Sequence, residues 1–168
     1  MILYPDYYFD KVTDITVEFL QENKIQGILL DVDNTLIDFD RNLIEGAREW
    51  VAKMKENHIK CMILSNSNKV DKVTTVAKVL DLPYLYFATK PLKRGFKKAK
   101  AELGLKNENM AVVGDQIFTD VIGANRSKML SILVNPIAEK DIWVTKLKRP
   151  MEEFIIKSYV KRQKKKEE

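Results

Sequence analysis

The stretch Ile25-Gln26-Gly27-Ile28-Leu29-Leu30-Asp31-Val32-Asp33-Asn34-Thr35-Leu36 is a near-continuous apolar run that stops at an acid. Apolar residues without polar alternation suit a strand covered on both faces, the situation inside a parallel sheet. Similar runs recur at 59–65, 84–88, 110–114 and 130–134. Between them lie stretches of helical spacing. Leu43, Ile44, Ala47, Trp50, Val51 and Met54 make one stripe; Val70, Val73, Val76, Ala77 and Leu80 make another. The spacing predicts helices over 43–57, 69–80 (capped by Asn68), 95–103 and 120–128, and a short one over 16–23 before the first strand. Strands alternating with helices, with no adjacent hairpin signal, indicate an α/β fold with a mostly parallel sheet.

The chain has 168 residues, enough for one domain that folds without staples. A content of 45% hydrophobic and 32% charged residues rules out wholesale disorder. The net charge of +5 invites a reading of nucleic-acid or membrane-surface binding. That excess has an address. From Lys146 onward there are nine basic and four acidic side chains, and the preceding 145 residues carry 20 of each sign. The expected organisation is a main unit over 1–150 and a C-terminal helix with a basic tail over 151–168. One cysteine, Cys61, precludes an internal disulfide, and one histidine, His58, precludes the usual zinc spacings. With no secretory leader pattern and no apolar run of bilayer length, a cytoplasmic location is expected.

Ligands gather beyond the carboxyl ends of strands in such sheets. The first strand ends in Asp31 and Asp33, the second in Ser65-Asn66, the third leads to Lys90-Pro91, and the fourth ends in Gly114-Asp115 with Asp120 close behind. Carboxylates sharing a cleft repel unless a cation lies between them. Hard oxygen ligands favour Mg²⁺, and a serine hydroxyl and lysine ammonium are natural phosphate ligands. A carboxylate also serves as a nucleophile toward phosphorus, with a second acid for proton transfer. Each residue has a plainer reading too: a solvated turn for the Asp31/Asp33 pair, a helix cap for Ser65 or Asp120, a surface cation for Lys90.

The ordered set Asp31-Val32-Asp33-Asn34-Thr35, Ser65, Lys90 and Gly114-Asp115 with Asp120 resembles the four motifs of the haloacid dehalogenase superfamily. The match spans about residues 25–135. The resemblance implies a three-layer Rossmann-like fold with a five-stranded parallel sheet in the order 5-4-1-2-3. A narrower pattern adds Pro5, Ile15-Thr16, Gly27, Pro91, Gly95-Phe96, Gln116 and Thr119. It is similar to the YqeG-type phosphatases of subfamily IIIA, which are related to mitochondrial phosphatidylglycerophosphate phosphatases.

What the resemblance implies for this chain is a Mg²⁺-dependent phosphatase. Asp31 would attack phosphorus and bind the metal, and Asp33 would be general acid and base with its carbonyl on the metal. Ser65 and Asn66 would hold the phosphoryl group. Lys90, favoured over its neighbour Lys93, would steady Asp31 and the phosphate. Asp115 would be the further metal ligand, with Thr35 and Asp120 in support. The segments 37–42 and 90–95 are too short for the cap domain many superfamily members carry, so the site is expected to be capless and open. An open site suits a bulky substrate such as a lipid headgroup, a protein or a polynucleotide end.

The C-terminal segment sets Phe154, Ile155 and Tyr159, with Ile156 and Val160, beside Lys157, Lys161 and Arg162. One reading is a basic amphipathic helix resting on an anionic membrane. The plainer one is a helix docked on the domain. The alternative functions are an RNA- or ribosome-associated binding protein with a weak or vestigial site, and a phosphatase of nucleotide or protein substrates. Cys61 reads as a small buried hydrophobe, His58 as a surface residue and the aromatic lead-in Tyr7-Tyr8-Phe9 as packing.

Overall fold

The computed structural model describes residues 1–137 and 143–167, with side chains described for 1–137 and 150–166. Its elements run β1 (Tyr7–Phe9), α1 (Val17–Glu22), β2 (Gly27–Leu30), α2 (Ala47–Glu56), β3 (Lys60–Leu64), α3 (Val70–Leu80) and β4 (Tyr84–Leu85). Then follow α4 (Lys93–Leu103), β5 (Met110–Gly114), a π-helical turn over Ile117–Val121, α5 (Ile122–Arg126), β6 (Leu130–Val134) and α6 (Trp143–Glu167).

All strands pair in parallel, in the order β1-β6-β5-β2-β3-β4. The five expected strands fall in their expected order, but the sheet has six. The sixth is the aromatic lead-in. Tyr7, Tyr8 and Phe9 lie in register with Ile132, Leu133 and Val134. A three-residue strand is too short to show an alternation, so the residues looked like packing alone. Their backbone closes the edge that β6 would otherwise leave open.

Alternate residues of each strand enter opposite layers. Ile28 and Leu30 of β2, Cys61 and Ile63 of β3 and Val113 of β5 meet Leu20, Trp50, Val51, Met54, Val73 and Leu80 on one face. Leu29, Met62, Leu64 and Val112 meet Phe96, Ala99, Leu103 and Ala124 on the other. These side chains are buried, each worth roughly 1.5–3 kcal/mol for a large aliphatic group. Trp50 keeps its polar edge satisfied, its Nε1–H donating to Ile15 O at 2.8 Å.

Helix ends differ from expectation in physically legible ways. Thr16 caps α1, its hydroxyl accepting from Phe19 N–H. Asn68 does not cap α3; Lys69 holds that position without a side-chain bond, and Ser67 Oγ accepts from Lys69 N–H. The early part of the 43–57 stripe is not helical. Leu43 bridges Ile37 instead, and α2 starts after Gly46, whose φ of +79° suits a glycine. The 120–128 helix is the π-helical turn followed by the five-residue α5.

Helix α6 begins earlier than expected and passes through Pro150. Ile155 is buried against Ile117, Val121 and Leu133, with Tyr8, Phe118 and Ile156 packed around them. The helix is therefore docked on the domain. Phe154 and Val160, expected on the apolar stripe, face outward. The side chains of Lys146, Lys148, Arg149 and Glu167, and all of Glu168, lie outside the described residues. Among the described residues no helix is long and apolar enough to cross a membrane.

Candidate active site

The parallel sheet delivers four loops to one edge. Asp31 continues β2, its N–H donating to Val113 O at 3.0 Å. Ser65 continues β3: its N–H donates to Leu85 O and its carbonyl accepts from Ala88 N–H, both at 2.9 Å. Asp115 follows β5 directly. Lys90 comes from the loop after β4.

Lys90 Nζ is 3.0 Å from Asp31 Oδ1 and 2.6 Å from Asp120 Oδ1. Lys93, the rival lysine, is exposed on α4. Asn66 fixes the Lys90 backbone from both sides: Lys90 N–H donates to Asn66 Oδ1 (2.7 Å), and Asn66 Nδ2 donates to Lys90 O (2.9 Å). The Asn66 side chain thus orients the lysine loop. The preceding Thr89 has φ of +57°, uncommon for a β-branched residue, and the Lys90–Pro91 bond is cis.

Asp31, Asp115 and Asp120 each offer a carboxylate oxygen within 4.8 Å of the others. Burial pushes the Asp31 pKa up to about 7; Lys90 pulls it down, and Asp120 and Asp33 push it up. Burial acts to lower the Lys90 pKa, but the Asp120 and Asp31 carboxylates outweigh it and hold the ammonium above the ordinary lysine range. One ammonium thus pairs with two carboxylates, Asp31 and Asp120, beside the third, Asp115. Three hard oxygen donors so placed fit a divalent cation of the Mg²⁺ type. Both Asp120 oxygens are engaged, Oδ1 by Lys90 and Oδ2 by Gln116 N–H, so the Asp31 and Asp115 carboxylates are the side chains suited to hold it.

Asp33 lies at the mouth, its side chain about half exposed, with Oδ1 2.6 Å from Lys72 Nζ. Ser65 is buried, and its Oγ accepts from Ser67 N–H at 3.1 Å. Thr35 supports the loop through its backbone N–H, which donates to Val32 O (3.3 Å); its buried hydroxyl has no hydrogen-bond partner. Gly114 admits Asp120: a Cβ there would sit 2.1 Å from Asp120 Oδ2. The structure therefore brings together Asp31, Lys90, Asp115 and Asp120, with Asp33 on the rim, Ser65 at the neighbouring strand end and Asn66 acting on Lys90.

The family model for haloacid dehalogenase-like hydrolases matches residues 39–128. A curated relative, the "Probable phosphatase YqeG" of Bacillus subtilis, is 39% identical over 153 residues, 90% of this chain and 88% of that protein. The chain belongs to the haloacid dehalogenase-like hydrolases. Solved structures agree on the fold. An uncharacterized protein from Listeria monocytogenes superposes with a TM-score of 0.58 at 19% identity, covering 70% of this chain and 84% of that one. The cobalt-bound deoxy-D-mannose-octulosonate 8-phosphate phosphatase of Haemophilus influenzae gives 0.53 at 15% identity, covering 82% and 90%.

Two residues of this haloacid dehalogenase-like hydrolase escaped the sequence reading. Nothing distinguished Lys72 from its neighbour Lys69; only the docking of α3 brings it to Asp33. Glu152 on α6 is buried, and its Oε1 accepts from Ile117 N–H (3.1 Å) and Phe118 N–H (3.4 Å). Here a signal existed. Positions 152, 155, 156 and 159 form one helical face, so Glu152 stands in line with Ile155, Ile156 and Tyr159.

Proposed function

We propose that the chain is a Mg²⁺-dependent phosphomonoesterase that works through an aspartyl-phosphate on Asp31. The carrying observation is the buried contact of Lys90 with Asp31 and Asp120 beside Asp115. An Asp31 oxygen forms a bond to phosphorus while the bond to the leaving oxygen breaks. Asp33, on the open side, donates a proton to that oxygen. Asp33 then takes a proton from water, whose oxygen bonds phosphorus as the Asp31–phosphorus bond breaks, releasing inorganic phosphate. Ser65 Oγ and the Lys90 ammonium hold the phosphoryl oxygens. The Asp31 and Asp115 carboxylates, with the Asp33 carbonyl, would hold Mg²⁺. The ion supplies charge neutralisation for the transferring group.

The substrate reading is a phosphomonoester on a lipid headgroup of the phosphatidylglycerophosphate type, met at an anionic membrane face. The similarity to the probable phosphatase of Bacillus subtilis supports the phosphatase. The short loop between Asp33 and α2, with bridges Asp33–Ile37 and Ile37–Leu43 and no inserted domain, supports access by a bulky substrate. Arg162 and Lys161, exposed on α6, supply cations for that surface.

Phosphate release tests the reading. Activity is expected with Mg²⁺, to vanish with EDTA and in Asp31→Asn, and to favour the lipid over nucleotides, sugar phosphates and phosphopeptides. Full activity of Asp31→Asn would overturn the nucleophile. A preference for a water-soluble phosphate, or salt-sensitive RNA binding without turnover, would overturn the lipid reading.

A further inference from the structure

We propose that Glu152 is a positioning residue for the metal-binding loop, which makes α6 a working part of the active site. The inference rests on the metal reading above. The loop in question carries Asp115 and Asp120 and turns through the π-helical segment Ile117–Val121. Such single-turn π segments concentrate at functional sites. The start of any helical turn leaves backbone N–H groups without intrahelical partners. In this turn two carboxylates take them. Asp120 Oδ2 accepts from Gln116 N–H (3.2 Å), and Glu152 Oε1 accepts from Ile117 and Phe118 N–H (3.1 and 3.4 Å).

The two acceptors come from different places. Asp120 belongs to the loop itself and also holds Lys90. Glu152 comes from a helix more than 30 residues away and borders, with Asp115, Asn135 and Ile156, a cavity of about 220 Å³. Ile117 is fully buried, so its N–H has no access to water as a substitute partner. Fixing Ile117 and Phe118 fixes the two residues that follow Asp115-Gln116, and so sets where the Asp115 carboxylate points and where Asp120 meets Lys90. Groups that orient a ligand in this way tune metal affinity without touching the metal.

The role is one of acceptance, so glutamine should fulfil it and alanine should not. Mn²⁺ binding to the full chain, followed by electron paramagnetic resonance without substrate, reads it directly. Glu152→Ala is expected to weaken Mn²⁺ binding about tenfold and raise the Mg²⁺ needed for half-maximal phosphate release in step. Glu152→Gln is expected within about threefold of the native chain. Ile155→Ala removes apolar packing from the same helix and leaves the acceptor in place; it should lower Tm with metal affinity unchanged. Should Glu152→Ala fail to fold, Glu152→Asp, one methylene shorter, replaces it with the same expected weakening.

Native affinity in the alanine variant, equal weakening in alanine and glutamine variants, or equal weakening in Ile155→Ala would each overturn the proposal and leave the metal reading standing. Absence of Mn²⁺ binding by the native chain would overturn both.

Discussion

Lys90 Nζ sits 2.6 Å from Asp120 Oδ1 with both side chains buried, and the same ammonium is 3.0 Å from Asp31 Oδ1. This contact ties the loop after β4 to the loops after β2 and β5. It holds the carboxylates together that would otherwise repel. Removing one partner of a buried pair strands the other, at a cost of about 3–5 kcal/mol. Lys90→Met is therefore expected to lose that much stability in urea denaturation without metal, and to lose phosphate release by at least about a hundredfold. Stability within about 1 kcal/mol of the native chain would contradict the pairing.

Asp31 gives a pH prediction. Its folded pKa of about 7 exceeds the ordinary carboxylate value of about 4, so the folded chain binds this proton more tightly than the unfolded chain. The associated stability is full below about pH 4 and declines as pH rises to about 7. Asp31→Asn removes the penalty. Metal-free Asp31→Asn should be more stable than the native chain at pH 8, by up to about 4 kcal/mol, with the gap closing toward about pH 4. Saturating Mg²⁺ should raise the Tm of the native chain and leave the variant's unchanged.

Gly114 is where the Asp120 side chain passes closest to the backbone. A methyl there would overlap Asp120 Oδ2, Cγ and Cβ at 2.1, 2.2 and 2.7 Å. Asp120 cannot yield without leaving Lys90. Gly114→Ala should cost about 1–3 kcal/mol and reduce activity, both measured on the purified protein. Gly104→Ala, with nothing within 4 Å but φ of +66°, serves as a comparison in which only local backbone strain is expected and activity is retained.

Cys61 lies within β3, and burial pushes its thiol pKa up to about 12. Thiol reagents attack the thiolate. The native chain should therefore resist labelling at pH 8, and the labelling rate should track unfolding as urea is added. Fast labelling in water would place Cys61 elsewhere than in the sheet interior.

The α/β class, the order of five strands and the four acid- and lysine-bearing loops were legible because each is a local pattern. An apolar run ending in Asp31 and Asp33, or in Gly114-Asp115, states both the strand and the place where its chemistry stands. The β1 strand was not legible. Tyr7–Phe9 has its pairing only because β6 offers an open edge. Helix starts were blurred for a similar reason: at Leu43 and Asn68 the spacing and the cap residue favoured helix, and tertiary bridges or a neighbouring serine took those groups instead.

By itself, the sequence determined which side chains reach the sheet edge, since strand ends and loop lengths follow from periodicity and spacing. Only the tertiary structure decided how those side chains divide the work. Asn66 turns to the Lys90 backbone, Lys72 meets Asp33, and Glu152 reaches the Ile117 turn from α6. The physical reason is distance along the chain. These partners lie 24 to 39 residues apart, and no local rule of spacing relates them. Close packing of separate elements brings them together, and the shortage of solvent there makes each polar group take a particular partner.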